Sequence, residues 1–319
     1  VTVVQWSGFS DTVLRTLLQL FRSSAVNASV FNRLAWEVPR AGFSEEIVEE
    51  VLRALVSSKD EQALTAAIEL ADHYFFHKEQ PRSCDEQLLF RLITAPYFFG
   101  QHNKVNRPYA WYDVTKGFRA RFPNHDLELF DIILLLEKDN LGFRHSSYPT
   151  QIADAIARDH PDDVWPIVSK NLEPDEDRSW RLEMWLGEEL SFDNDKVVGA
   201  ITLFKPDSVM EWVMKDPNKR ARKILGCLPK TLDEERGGKL TKLFIEAFGD
   251  GELGDYLMSH FWTGGWTGSE SAHLAGKRDK AREWIAEIKS GRILAWLYRY
   301  IEHLNELIAQ AEMREEREF

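Results

Sequence analysis

The sequence predicts an all-α protein built from antiparallel helix pairs, and three observations support this prediction. Apolar residues recur at helical spacing, as in the stripe formed by Leu14, Leu18 and Phe21. Strand signals are sparse, since residues 1–6 form a short candidate strand and no turn dipeptide joins two alternating runs. A pattern that begins at Pro161 also recurs 45 residues later. A sheet-based fold is therefore not expected.

The recurring pattern indicates the arrangement of these helix pairs. Residues 161–168 resemble residues 206–213, with Asp and Val at matching positions. The second copy is followed by Asp216 and Pro217, which are typical of the start of another helix because proline is tolerated in the first turn. Pairs of helices that repeat every ~40–47 residues are typical of HEAT and armadillo proteins. We therefore predict a HEAT/armadillo-like α-solenoid of roughly fourteen to eighteen helices.

Residues 1–95 are expected to form N-terminal helical repeats. One helix should begin after Ser10 and another after Ser44, because serine caps helix N-termini and acidic residues follow in the first turn. Further helices are predicted over 61–77 and 85–94, where the second ends ahead of a proline.

The helical pattern changes at residues 96–125, which combine prolines, glycines and many aromatic residues with few aliphatic ones. We expect an irregular aromatic and basic insertion there. Residues 126–319 are predicted to form C-terminal helical repeats. Their last element should be a long capping helix over 290–319, with a buried apolar stripe and a charged ending.

Composition excludes several classes of function. The chain has 40 Lys+Arg against 52 Asp+Glu, a net charge of −12, which disfavours general binding to phosphate backbones. Two cysteines, Cys84 and Cys227, are too few for a disulfide framework or a four-thiolate zinc site, so we expect a reducing, cytoplasmic location. The longest aliphatic run, Ile132–Leu136, is far shorter than a membrane span, and we expect neither a signal peptide nor a membrane partner.

Two segments contain candidate binding residues. In residues 97–122, aromatic side chains that could stack on a partner alternate with cations. The candidates there are Tyr109, Trp111, Tyr112, Lys116, Arg119 and Arg121. A second group lies in a glycine- and serine-rich loop and consists of Trp262, Trp266 and His273. A protein partner is the favoured interpretation. Nucleic acid binding through residues 97–122 remains open, as does a purely structural role for both segments, with Ser269 or Ser271 capping the next helix.

Metal and catalytic sites are not expected. His73 and His77 share a helix face at i and i+4, which makes them a weak alternative zinc pair. The glutamate of a His-Glu-x-x-His motif is missing, since Tyr74 follows His73. The loop over 264–273 lacks the Gly-Lys-Ser/Thr ending of a phosphate-binding P-loop. We therefore predict no catalytic residue, metal or cofactor.

Residues 205–319 resemble a known group of bacterial regions. The resemblance is based on Gly265-Trp-Thr-Gly-Ser-Glu-Ser271, on a short helix over 278–288, and on Trp296 in a long helix with a charged ending. This pattern is similar to the C-terminal HEAT-like helical repeats of bacterial STAND-type NTPases and related anti-phage defence proteins. In those proteins such repeats follow an effector domain and often an NTPase core. They are thought to sense a trigger or to hold the assembly inactive.

The resemblance implies a sensor or scaffold region whose larger protein carries any enzymatic activity in another domain. We therefore expect a non-catalytic module that binds a macromolecule, with protein the favoured partner. The alternative is a HEAT-like enzyme that acts on nucleic acid, such as a DNA-base glycosylase. For that activity, Asp113 beside Trp111 is the candidate carboxylate.

Overall fold

The computed structural model describes residues 10–35, 43–58, 60–76, 82–99, 108–136, 148–173, 177–187 and 199–317. Every regular element in these ranges is a helix, which confirms the predicted all-α class, and sixteen of them are α-helices. None of these helices is both long and apolar enough to cross a membrane. The candidate strand over residues 1–6 lies outside the described ranges.

The chain divides into two compact units, residues 1–156 and 157–319. The α-helices of the first unit are α1 (Asp11–Arg22), α2 (Ser29–Ala35), α3 (Glu45–Ser58), α4 (Glu61–Ala71), α5 (Glu86–Ile93), α6 (Pro108–Arg121), α7 (Asp126–Leu136) and α8 (Tyr148–Asp159), which crosses the boundary. A π-helical turn, Asp72–Phe76, extends α4, and short 3-10 turns cover Pro96–Phe99 and Pro123–His125.

The α-helices of the second unit are α9 (Pro161–Leu172), α10 (Asp177–Leu186), α11 (Pro206–Lys215), α12 (Pro217–Leu225), α13 (Gly238–Phe248), α14 (Glu252–Trp262), α15 (Glu270–Glu287) and α16 (Gly291–Glu315). Short 3-10 turns cover Ala200–Leu203 and Glu234–Arg236. The predicted long last helix is confirmed as α16, and Ser290 caps its N-terminus by accepting a hydrogen bond from the backbone N–H of Ile293.

Within the first unit, helices pack on their neighbours and on the next helix but one. Helix α3 contacts α1 and α5, while α4 contacts α2 and α6. Their apolar stripes meet in a core that excludes water almost completely, with Phe31, Leu52 and Phe75 among its largest side chains.

The second unit repeats this packing. Helix α11 contacts α12 and α13 contacts α14, while α11 also contacts α13 and α12 also contacts α14. Helices α15 and α16 pack against each other along their lengths, and α16 also contacts α13. Large aromatic side chains fill the space between layers, including the fully buried Trp185, Phe244 and Trp296.

The predicted irregular insertion over 96–125 is wrong for its second half, because α6 is a regular helix. Trp111, Val114 and Phe118 recur at helical spacing and are all buried, so packing determines the structure despite the scarcity of aliphatic residues. Gly117 does not break this helix. A Cβ atom at that position would lie 2.3 Å from the ring of Phe76, so the glycine permits close packing on the π-helical turn.

Candidate functional site

Trp111 is part of the core rather than of an exposed surface. Its side chain is only 4% exposed, and its indole N–H donates a hydrogen bond to the carbonyl oxygen of Ile93 at 2.9 Å. That carbonyl is the last of α5, where helical geometry leaves it without an intrahelical partner. The indole therefore joins α6 to the end of α5.

Arg119 and Arg121 bind partners inside the first unit. The Nε and Nη2 atoms of Arg119 donate to the two carboxylate oxygens of Asp126 at 2.9 and 2.7 Å, in a pair that is largely buried. Arg121 donates to the carbonyl oxygens of Phe75 and Arg82, and its guanidinium lies 4.5 Å from the ring centroid of Phe76. The structure therefore corrects the prediction that Trp111, Arg119 and Arg121 contact a partner.

Near these contacts is a cluster of three tyrosines, Tyr109, Tyr112 and Tyr148, of which Tyr109 is exposed and the other two are half-buried. Tyr109 is 68% exposed, and its ring centroid lies 5.2 Å from that of Tyr148. Tyr112 lies one turn along α6 at 5.1 Å from Tyr148, and Lys116 follows on the same side, also exposed. Helix α8 thus contributes a ring that residues 97–122 do not contain, which is why sequence reasoning missed Tyr148.

The environment of Tyr148 alters its acidity. Burial against the other two rings raises its pKa to about 12, and the hydrogen bond with Tyr109 and the nearby charge of Asp113 act in the same direction. The phenol therefore stays neutral to a higher pH than an ordinary tyrosine and can donate a hydrogen bond. Asp113 itself is exposed on α6 beside this cluster.

The predicted loop residues Trp262, Trp266 and His273 lie in the second unit. Trp262 ends α14 and is half-buried, whereas Trp266 is 42% exposed and stacks on His273 with 5.6 Å between ring centroids. The far side of the loop is fixed by Glu315, which accepts hydrogen bonds from the hydroxyl of Ser269 and from the hydroxyl and backbone N–H of Ser271. Hydrogen bonds to Glu315 therefore hold the C-terminal end of the loop that carries the exposed Trp266.

Next to this loop is a cavity of about 450 Å³, which we call the lysine cavity. Among the described residues that line it, four are cationic, Lys230, Arg236, Lys277 and Lys280, and one is a carboxylate, Asp233. His273 also lines it. Sequence analysis missed this site because its cations come from two distant stretches, the segment before α13 and the middle of α15, which are more than 40 residues apart.

Metal-ligating and thiol groups were the remaining candidates for chemistry. No group of three or more His, Cys, Asp or Glu is arranged to hold a metal ion among them. His73 lies in the π-helical turn, and its suggested partner His77 falls outside the described ranges. Burial raises the pKa of both thiols, Cys84 and Cys227, which leaves them protonated and poorly nucleophilic at neutral pH.

Comparison with known proteins adds no assignment. No protein-family model matches the chain, and neither does a curated protein or a solved structure.

Proposed function

We propose that this chain is a HEAT-like helical-repeat module that binds a protein partner without catalysing a reaction. Contacts between a helix and the next but one, which occur at several helices in both units, support the repeat assignment. The tyrosine cluster of Tyr109, Tyr112 and Tyr148 is the observation that carries the binding role.

Packed tyrosines suit protein recognition for physical reasons. Tyrosine is enriched among the residues that dominate binding energy, since it combines a large apolar ring with a hydroxyl that can form hydrogen bonds. Tyr148 contacts both other rings, so part of the entropic cost of ordering these side chains is already met before a partner binds. Lys116 at the edge of the cluster favours a partner with acidic groups.

Nucleic acid is the less favoured partner. Binding to a phosphate backbone requires several accessible cations, but Arg119 and Arg121 are directed to Asp126 and to backbone carbonyls. Among the described cations of the predicted segment, Lys116 alone remains exposed. This distribution of charge supports protein recognition over a DNA-processing activity.

The wider role rests on the resemblance of residues 205–319. We place the module in a larger bacterial defence or regulatory protein, as a sensor or scaffold region, with any enzymatic activity in another domain. The two free thiols agree with a reducing, cytoplasmic location.

The proposal is tested by site-specific photo-crosslinking in bacterial cells. A benzophenone amino acid replaces Tyr109 in one variant and Tyr298, which is 60% exposed on α16, in the control. We expect a discrete protein adduct from position 109 that weakens when Tyr112→Ser is added, and none from position 298. Equal adducts at both positions would contradict the proposal. Steeply salt-dependent binding of the purified chain to duplex DNA would instead support the nucleic acid alternative.

A further inference from the structure

The charge of the lysine cavity is opposite in sign to the net charge of the whole chain. The whole sequence carries a net charge of −12, yet the described lining of this cavity has four cations to one carboxylate. Like charges gathered in a concave site repel each other. Asp233 and Glu283 offset part of this repulsion by pairing with Lys280, and an anionic ligand would offset the rest. The concentration of positive charge therefore points to an anionic ligand.

Two of the cations are held in place by the end of α14. Lys230 Nζ donates to the carbonyl oxygen of Thr263 at 2.8 Å, and Lys277 Nζ donates to the carbonyl oxygen of Phe261 at 2.8 Å. These carbonyls lie at the negative end of the helix dipole, which favours cations. The two ammonium groups are thus ordered before any ligand arrives, which reduces the entropic cost of binding.

The other two cations are exposed. Lys280 lies 3.7 Å from Asp233 and 3.0 Å from Glu283, in pairs that solvent screens. Asp233 also accepts a hydrogen bond from the indole of Trp284 at 2.7 Å. Arg236 follows in the 3-10 turn after Asp233 and is exposed to solvent. Arg236 and Lys280 therefore provide positive charge that solvent-borne anions can reach.

The size and walls of the cavity limit the ligand further. A volume of about 450 Å³ lies within the range of ~300–1,000 Å³ that small-molecule sites occupy. Aromatic side chains, Phe261, Trp284 and Tyr300, form part of its wall. His273 borders it and carries the stacked, exposed ring of Trp266, which offers a face to a planar group.

We propose that the lysine cavity binds the phosphate groups of a small molecule of nucleotide size. Clustered lysines and an arginine suit the multiple charges of a di- or triphosphate better than a single carboxylate, because each ammonium or guanidinium forms a charge-assisted hydrogen bond. The exposed indole of Trp266, which stacks on the lining residue His273, suits a base. This inference uses a different unit and different residues from the tyrosine cluster, so it does not depend on the proposed protein partner.

A simpler interpretation is that the lysines only stabilise the C-terminal end of α14. That interpretation accounts for Lys230 and Lys277, which bind carbonyl oxygens there. It does not account for Arg236 and Lys280, which lie in the same cavity but contact no carbonyl of α14 among the hydrogen bonds that the structure describes. Substitution of these two residues therefore separates the interpretations without disturbing the helix end.

Isothermal titration calorimetry of the 319-residue chain tests the proposal. The probes are ADP, pyrophosphate and adenosine, without added divalent cations, in ~50 and ~200 mM salt. The variant is Arg236→Gln combined with Lys280→Gln. Its matched control is Lys239→Gln, an exposed lysine that pairs with Asp207 and does not line the cavity. Thermal melting of each variant confirms that it is folded.

We expect ADP and pyrophosphate to bind, adenosine to give no measurable heat, and the affinity for both anions to fall as salt rises. The double variant should bind ADP at least ~10-fold more weakly, as the loss of a charge-assisted hydrogen bond predicts, while Lys239→Gln stays within ~2-fold. Tighter binding of ADP than of pyrophosphate would assign the extra affinity to the adenosine group and support a nucleotide as the ligand. Absence of binding by both anions at millimolar concentration would overturn the proposal, as would equal losses in the variant and its control.

Discussion

Replacing Arg119 with methionine should lower the free energy of unfolding of the first unit by about 3 kcal/mol. The guanidinium donates to both carboxylate oxygens of Asp126, whose side chain is only 4% exposed. Removing one member of a buried pair costs ~3–5 kcal/mol because the remaining charge stays desolvated. The lower end applies here since the Arg119 side chain retains 11% exposure. Methionine preserves most of the aliphatic stem, so the change reports on charge.

Urea denaturation followed by far-ultraviolet circular dichroism measures this loss. Arg22→Met is the control, because Arg22 pairs with Glu50 in an exposed bridge whose contribution should be below ~1 kcal/mol. Adding Asp126→Asn to Arg119→Met should recover part of the stability, as it removes the uncompensated charge. Equal, small losses for Arg119→Met and Arg22→Met would refute the structural role of the pair and return Arg119 to the list of binding candidates.

Three further results are expected. Gly254→Ala should cost ~1–3 kcal/mol in thermal or urea unfolding, since its Cβ would lie 2.1 Å from a backbone oxygen, whereas Gly276→Ala, with open space, should be neutral or stabilising. Asp85 caps α5, and hydrogen bonds from the capped backbone N–H groups lower the pKa of its carboxyl below 3.8. The stabilisation that this carboxylate contributes is therefore present above pH 3.8 and is lost as the pH falls through the lowered pKa of the folded state. The difference between the urea midpoints at pH 5 and at pH 3 should therefore be smaller for Asp85→Asn than for the unmodified chain. The same difference in both proteins would contradict this role of Asp85. Tyr109→Phe should lower the pKa of Tyr148 from about 12, because it removes the hydrogen bond between the two hydroxyls. A pH titration of tyrosinate absorbance measures this shift, and an unaltered titration would exclude that hydrogen bond.

The helices were largely predictable from the sequence because the relevant signals are local. The spacing of Leu14 and Leu18 reflects one helix face, and the caps at Ser269 and Ser290 depend on residues three positions away. Helix α6 was missed because its stability comes from tertiary packing. The ring of Phe76, which belongs to the π-helical turn, leaves no room for a side chain at position 117, so glycine fits there.

The candidate sites were less predictable, since they depend on which distant residues meet. The composition of residues 97–122 drew attention to Tyr109, Trp111 and Tyr112 alike, but it could not distinguish the exposed ring of Tyr109 from the buried ring of Trp111. Whether an arginine faces solvent depends on the position of its acceptor, and the acceptors of Arg121 lie 39 and 46 residues earlier in the chain. The lysine cavity depends in the same way on α15 packing beside the segment before α13.

The hairpin of α15 and α16 is joined at both ends. The short connection over 288–290 links the helices at one end, and at the other Glu315 fastens Ser269 and Ser271. Helices ordinarily fray from their tips. Fraying of α16 at Glu315 breaks the hydrogen bonds from Ser269 and Ser271, so unwinding at this tip should loosen the segment that carries Trp266.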